Sequence, residues 1–504
     1  MRSFRIFRIP CLYLTFFFFT SSQISAQNKF NGPSSSSLET ERIISQSQIK
    51  LLNTLQELNF NPSLHPGHTD RLTGKWDTDF LRREEWTSGF FAGTMWYMFQ
   101  LTGNQVWKEY ALEWTLDLER AANIRSDHDT GFRIYSSYGN AYRLLENREH
   151  YHMILHAASV LSERYDPRIG AIKSWDWMKD RNFPVIIDNL MNLELLFEAS
   201  RLSGKKEWYD MALSHADVSL RHHMRADGST YHIVDFDNQG KPLDKFTTQG
   251  CDRNSPGCRD FHVWSRGQAW AIYGFTMIYR YTGENRFLNA AIDAANYFMD
   301  QLPDDFVPPY DFFEPVPSVR TKDASASAIA SSAMLELYTV TDNTFYFESA
   351  VNILGSLSSP VYFSSANGIS SILQKSTRHR GQGNIGTSYA DYYFIEALVR
   401  YLNLSGFVFP EITKEVSFFL DQNYPNPFRN STTIYFSLDH ESWIKIDLFD
   451  INGRWIKTLH HENRKSGSHT LSLNVTGLSS GVYLYSLSSN GQRRTRKMTL
   501  INQP

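Results

Sequence analysis

The sequence predicts two folds in tandem: a closed ring of paired α-helices over residues 41–405, then a small all-β sandwich-like module over residues 416–504. Three observations carry this. An apolar helix, a polar turn, an aromatic and a second helix recur in that order through the first region. Small residues stripe the faces of helices that open such pairs. Beyond residue 415, alternation of period two replaces the helical period.

In chain order, "MRSFRIFRIPCLYLTFFFFTSSQISAQ" places Arg2, Arg5 and Arg8 before an apolar run and then small residues. This is the pattern of a secretory signal over residues 1–26, too short in its apolar run to make a stable membrane span. A Ser-rich linker over 27–40 follows. The helical copies are "YMFQLTGNQVWKEYAL" (97–112), "LFEASRLSGKKEWYDMAL" (196–213), "MIYRYTGENRFLNAAI" (277–292) and "LELYTVTDNTFYFESAV" (335–351). In the last, Asp342 stands where the others have glycine. Repeated antiparallel pairs bury their faces on one another, and their irregular spacing favours a closed barrel with elaborated loops over an open solenoid. A second linker spans 406–415. The strands "VSFFL", "STTIYFSL", "WIKIDLFD", "SHTLSLNV" and "GVYLYSLS" then alternate between turn signals.

Composition narrows the function. The formal net charge is −3, and no basic run in the body of the chain points to nucleic acid. Aromatic residues make up 14%, with 12 Trp and 26 Tyr, an excess that suits a cleft whose ring faces stack on sugar rings. No P-loop, dinucleotide fingerprint or serine nucleophile elbow is present. Cys251 and Cys258, in "QGCDRNSPGC", suit a loop disulfide in an oxidising compartment better than two free thiols.

Candidate site residues have bland readings beside functional ones. In "RSDHDTGFRIY" (125–135), His128 and Asp129 precede a Thr-Gly turn, and aspartate is a turn former. Asp188, in "FPVIIDNLMNLELLFEAS" (183–200), stands where a helix N-cap is expected. Two such aspartates could instead converge at the open end of a helical ring as a carboxylate pair. "STYHIVDFDNQGKPLDKFTTQG" (229–250) reads as a hairpin or long loop over the mouth; its Asp235, Asp237 and Gly240 fail as a calcium loop because Phe246 holds the position that needs Glu. His232 in it is either a strand surface residue or part of the site. His152 and His156 have ligand spacing on a helix but no third ligand, and His150, His222 and His223 read as surface residues; no metal is expected. In "WSRGQAWAIYGF" (264–275), Arg266, Trp270 and Tyr273 share one helical stripe, and Gly267, Ala271 and Gly274 share a smooth one beside it.

Five segments in register, "EEWTSGFFAG", "HDTGF", "IIDNLMNLELL", "STYH" and "WSRGQAWAIYG", resemble the unsaturated glucuronyl hydrolases, glycoside hydrolase family 88. The resemblance implies an all-α (α/α)6 barrel without cofactor. It also implies an oligosaccharide substrate ending in the 4,5-unsaturated uronic acid that a polysaccharide lyase leaves. It makes Asp188 the acid/base and Asp129 its essential partner. His128 and His232 would touch sugar and water, and Trp86, Trp175 and Trp270 would stack on the sugar. Arg266 would pair the substrate carboxylate, and Gln249 would be a further sugar contact. A sister group acts on unsaturated rhamnogalacturonan, and Gln268-Ala269-Trp270 favours the glucuronyl side. Ulvan fragments and a non-catalytic glycan-binding role on the same scaffold stay open. The tail, with "LDQNYPNPFRNSTTIYFSL", resembles the C-terminal sorting domain of type IX secretion. It implies the secretion machinery as a partner and a secreted or cell-surface protein; the alternative is a carbohydrate-binding sandwich.

Overall fold

The computed structural model describes residues 38–247, 262–313, 321–363, 368–412, 418–438, 441–474, 478–489 and 492–501. Gln249, Cys251 and Cys258 lie outside them.

Twelve α-helices, among the described residues, pair into the barrel. The outer helices are α1 (Thr40–Glu57), α3 (Gln105–Asp117), α5 (Arg148–Ser162), α7 (Lys206–His222), α9 (Asn285–Asp300) and α11 (Thr344–Leu357). The inner ones are α2 (Ser88–Thr102), α4 (Asn140–Leu145), α6 (Asn189–Ser203), α8 (Ser265–Thr282), α10 (Ala324–Thr341) and α12 (Ser388–Leu404). A π-helical segment, Gly131–Gly139, leads into α4. Burial separates the rings. In α9 the buried residues Phe287, Ala290, Ala291, Ala294, Ala295 and Phe298 form one stripe, as on any helix with a wet side. In α8 every residue from Ser265 to Ile278 is buried. The ring closes where Tyr97 of α2 donates to Glu396 of α12 at 2.7 Å.

The hairpin turns carry the expected chemistry. Gly103, Gly204 and Gly283 cap their helices in the left-handed region, each donating its N–H to the carbonyl four residues back. Asp342 does the same at φ +53°. A fifth turn of this kind escapes a glycine search because Glu146 occupies it, at φ +52°.

The small-residue stripe of α8 has two causes. A Cβ on Gly274 would lie 2.5 Å from Leu190 Cβ, so Gly274 is where α6 and α8 touch. A Cβ on Gly267 would instead lie 2.8 Å from the ring of Trp264. That glycine makes room for the tryptophan folded over the first turn, rather than for a neighbouring helix.

At the end of the barrel where the inner helices begin, short strands build the mouth. A ribbon of β1 (Tyr165–Asp166) and β2 (Ala171–Ile172) precedes an antiparallel sheet of β3 (Phe183–Ile186), β4 (Ile233–Phe236) and β5 (Pro242–Phe246). The β4–β5 hairpin turns at Gly240, φ +82°. A second ribbon joins β6 (Ser376–Thr377) and β7 (Gly383–Ile385).

The tail is a sandwich of two antiparallel sheets. One has the order β11 (Trp455–Arg464), β10 (Ser442–Asp450), β13 (Gly481–Ser489), β14 (Gln492–Leu500); the other has β12 (Gly467–Asn474), β9 (Ser431–Leu438), β8 (Phe418–Leu420). Ile434, Phe436, Ile444, Ile446 and Leu487 fill its core. It rests on α5, where the Phe419 ring lies 4.6 Å from His152 and Arg496 lies 3.5 Å from Glu149.

Two histidine readings are corrected. His150 is buried edge-on against Tyr138, and His223 is fully buried, donating from Nε2 to the Val185 carbonyl at 3.0 Å. Among the described residues no helix is long and apolar enough to cross a membrane, and no cluster of three metal-ligating side chains occurs.

Candidate active site

The first turns of the inner helices and the strands beside them bring His128, Asp129, Asp188 and His232 to one place. Strand β3 pairs Ile186 with Ile233 of β4, and the next residue, Ile187, donates to the His232 carbonyl at 2.9 Å. Asp188 follows at the N-cap of α6, but its carboxylate makes no capping bond. It turns inward, where Oδ2 lies 3.7 Å from His232 Nε2 and has no hydrogen-bond partner.

Across the mouth, the His128 N–H donates to the Ser174 carbonyl at 3.0 Å, and Asp127 bridges Trp175. The turn here is made by Asp127, whose carboxylate accepts the Asp129 N–H at 2.9 Å and Arg133 at 2.7 Å. Asp129 is thereby free of turn duty. Its Oδ1 lies 3.4 Å from His128 Nε2, which has no hydrogen-bond partner of its own. Asn192 of α6 ties the two halves together, accepting the Phe132 N–H at 2.9 Å and approaching His128 Nδ1 at 3.4 Å.

Both carboxyls hold protons more tightly than usual. Burial pushes Asp188 up to about 7, against the pull of the Arg266 charge and the Trp270 indole N–H. Burial also raises Asp129 well above the usual range, helped by the charges of Asp127 and Asp188 and opposed by Arg133. Asp127 itself stays low, because Arg133 outweighs its burial. His128 is driven down to about 3 by burial, and His232 well below its usual value for the same reason. The site at neutral pH therefore offers an aspartate that gains and loses a proton, flanked by two neutral imidazoles.

Aromatic rings wall this group. Trp175 lies 6.3 Å from His128 and 6.1 Å from His232, with Trp177 beside it at 5.0 Å. Trp86 is half-buried against Phe132 and Tyr389. Trp270 is fully buried, 5.3 Å from Phe132, so it forms the floor.

Arg266 has partners of its own within the chain. Its Nη1 donates to Asp323 Oδ2 at 2.8 Å and to the Thr377 carbonyl at 2.7 Å, and its Nη2 to the Arg378 carbonyl at 3.0 Å. Trp264 and Tyr389 sandwich the guanidinium at 4.6 and 5.0 Å. The fork assigned to a substrate carboxylate is engaged in holding the start of α10 and the 376–378 segment. Its partner was invisible in sequence because Asp323 lies 57 residues away. Trp264, 4.7 Å from His232, and Asn192 were missed too, although Asn192 stands four residues after Asp188 and so on the same helical face.

Residues 65–307 match the model of Glycosyl Hydrolase Family 88, and residues 422–501 match the Secretion system C-terminal sorting domain. An unsaturated glucuronyl hydrolase of Formosa agariphila is 42% identical over 331 residues, 64% of this chain and 81% of that one. An unsaturated chondroitin disaccharide hydrolase of Streptococcus pyogenes is 31% identical, over 63% of this chain and 81% of its own. A crystal structure of an unsaturated glucuronyl hydrolase specific for heparin superposes with a TM-score of 0.68 at 34% identity, covering 73% of this chain and 98% of that one. That of Bacillus sp. GL1 gives 0.65 at 28%, covering 72% and 96%. The chain belongs to glycoside hydrolase family 88, with the unsaturated glucuronyl hydrolases, and is an (α/α)6-barrel glycoside hydrolase carrying a type IX sorting domain at its C-terminus.

Proposed function

We propose that the protein removes the terminal 4,5-unsaturated glucuronic acid from oligosaccharides left by polysaccharide lyases, by hydrating the ring's C4=C5 vinyl ether. The observation that carries this is the buried pair Asp129 and Asp188, each beside a neutral histidine under Trp175. Protonated Asp188 gives its proton to C4, and positive charge develops at C5, shared with the ring oxygen. A water held by His232 adds at C5 and returns a proton to Asp188. The hemiketal so formed opens, and the glycosidic bond to the next sugar breaks with it. A group that donates and then accepts a proton works best with a pKa near the working pH, which burial supplies. Asp129 and His128 position the uronate ring, Trp86 and Trp175 stack on it, and Trp270 directs its N–H toward Asp188. Arg266 acts from behind the mouth through its charge.

The names of the relatives, one an unsaturated chondroitin disaccharide hydrolase and one a glucuronyl hydrolase specific for heparin, support acidic, lyase-degraded glycans as the source of substrate. The sorting domain supports a reading in which the protein is exported past the outer membrane and loses its tail, and the N-terminal pattern one in which the leader is lost near Ala26. The test is loss of the conjugated double bond's ultraviolet absorbance on lyase-made disaccharides. Wild type should bleach it, and Asp188→Asn should not. Bleaching by both would show that another group is the acid.

A further inference from the structure

The barrel has a second cavity, on its axis at the end away from the mouth. Its volume is about 330 Å³, and α2, the 131–145 segment, α6, α8 and α12 line it. The lining residues stand well along their helices: Glu194 is six residues past Asp188, and Tyr273 and Arg280 are seven and fourteen past Arg266. At 1.5 Å per residue the lining runs from about 5 Å beneath the catalytic group, at Met191, to about 20 Å, at Arg280. Phe132 and Trp270 stand between the two, in contact with each other.

Its chemistry differs from that of the mouth. Arg280 pairs with Glu194 and Glu336, and Arg400 with Glu336 and Glu396. Arg143, at the exposed rim, donates only to the amide oxygens of Asn140 and Gln100. Three arginines thus meet three glutamates, Glu194 and Glu396 in the lining and Glu336 behind Arg280 and Arg400, so the formal charges of the cluster cancel. Tyrosine rings from Tyr97, Tyr135, Tyr392 and Tyr393 supply the walls. Tyr97 and Tyr273 give their hydroxyls to Glu396, at 2.7 and 3.0 Å. A chamber with balanced charge, donors and acceptors on all sides and flat ring walls selects against ions and against purely apolar molecules. It suits a compact molecule whose every hydroxyl both donates and accepts, and whose ring has an apolar face.

We infer that this cavity is a second ligand site, for one neutral monosaccharide. The inference does not depend on the reaction proposed for the mouth. Its roof is shared with the active site: Tyr393 lines the cavity and lies 5.3 Å from Trp270, and Met191, also in the lining, donates its N–H to the Asp188 carbonyl.

The test is calorimetric titration of the full protein with N-acetylglucosamine and glucose, and with glucuronate for comparison. Three variants go alongside: Val399→Trp fills the cavity, Arg143→Ala alters its exposed rim, and Trp175→Ala alters the mouth. Binding of the neutral sugars with millimolar Kd, weakened at least tenfold by Val399→Trp and Arg143→Ala and unmoved by Trp175→Ala, is expected. Circular dichroism confirms that Val399→Trp is folded, and Arg143→Ala carries the test if it is not. Absence of binding, binding lost only in Trp175→Ala, or tighter binding of glucuronate than of the neutral sugars each overturns the inference.

Discussion

The backbone N–H of Ile187 donates to the carbonyl of His232 at 2.9 Å. This bond continues the β3–β4 pairing by one step and fixes two residues 45 positions apart in sequence. Asp188, next after Ile187, begins a helix, so its carboxylate is carried by backbone that a strand holds on one side and a helix on the other. The 3.7 Å approach of Asp188 to His232 is thus a property of the scaffold.

The first prediction concerns pH. Asp188 must carry its proton to start the reaction, and its pKa is about 7. His128 is neutral down to about pH 3, and His232 is neutral with it. The kcat/KM profile should therefore be level from about pH 5 to 6.5 and fall about tenfold per unit above 7. Steady-state assays on an unsaturated disaccharide check this. A profile level up to pH 9 would remove Asp188 from the role of acid.

The second concerns stability. In the unfolded chain Asp188 titrates near 3.8, and in the folded protein near 7. Between these values the folded state binds more protons, so the contribution of Asp188 to stability falls as pH rises through that window and is fully unfavourable above it. Asp188→Asn should remove a cost of order 2–4 kcal/mol at pH 8 and almost none at pH 4. Thermal melts at the two pH values give the comparison; an equal change in Tm at both would contradict it. His128 works in the opposite direction. Its folded pKa is depressed to about 3, so its contribution is present above pH 6.5 and is lost as pH falls through that range.

Much of this was legible because the signals were local. A left-handed cap after an apolar helix is written in a few residues, and Gly103, Gly204 and Gly283 announce it. Asp342 could be read by analogy, whereas Glu146 could not, since its side chain says nothing of φ +52°. The aspartates were found as candidates, but their local readings could not be separated until Asp127 was seen making the turn and Asp188 was seen leaving its cap unmade. Arg266 shows the limit. Its helix, neighbours and stripe were readable, but the groups that occupy it, Asp323, Thr377 and Arg378, come from two distant segments. No spacing rule reports a contact between elements that only the ring's closure brings together.

That arrangement makes the third prediction. Lysine at position 266 cannot serve Asp323 and two carbonyls in different directions at once. Arg266→Lys should lower stability by about 3 kcal/mol, as expected when a buried charge pair loses its geometry. The loss of activity should accompany the loss of stability. Denaturant unfolding distinguishes the two roles of this residue. An unchanged midpoint with a raised KM would restore Arg266 as a direct substrate contact.

The last prediction returns to the helical turns. At φ +53° Asp342 is exposed and its carboxylate forms no hydrogen bond among the described residues, while its N–H closes α10 on the Tyr338 carbonyl. Its three counterparts show that glycine performs the same cap at φ values of +67° to +76°. A side chain there costs conformational strain that glycine avoids, partly offset by the greater freedom glycine gains in the unfolded chain. Asp342→Gly should therefore stabilise the barrel by roughly 0.5–1 kcal/mol. Because Asp342 closes the C-terminal end of α10, away from the helix starts that build the mouth, kcat/KM should not move. A Tm below that of wild type would mean that Asp342 makes a contribution beyond its backbone, and that the fourth turn is not equivalent to the other three.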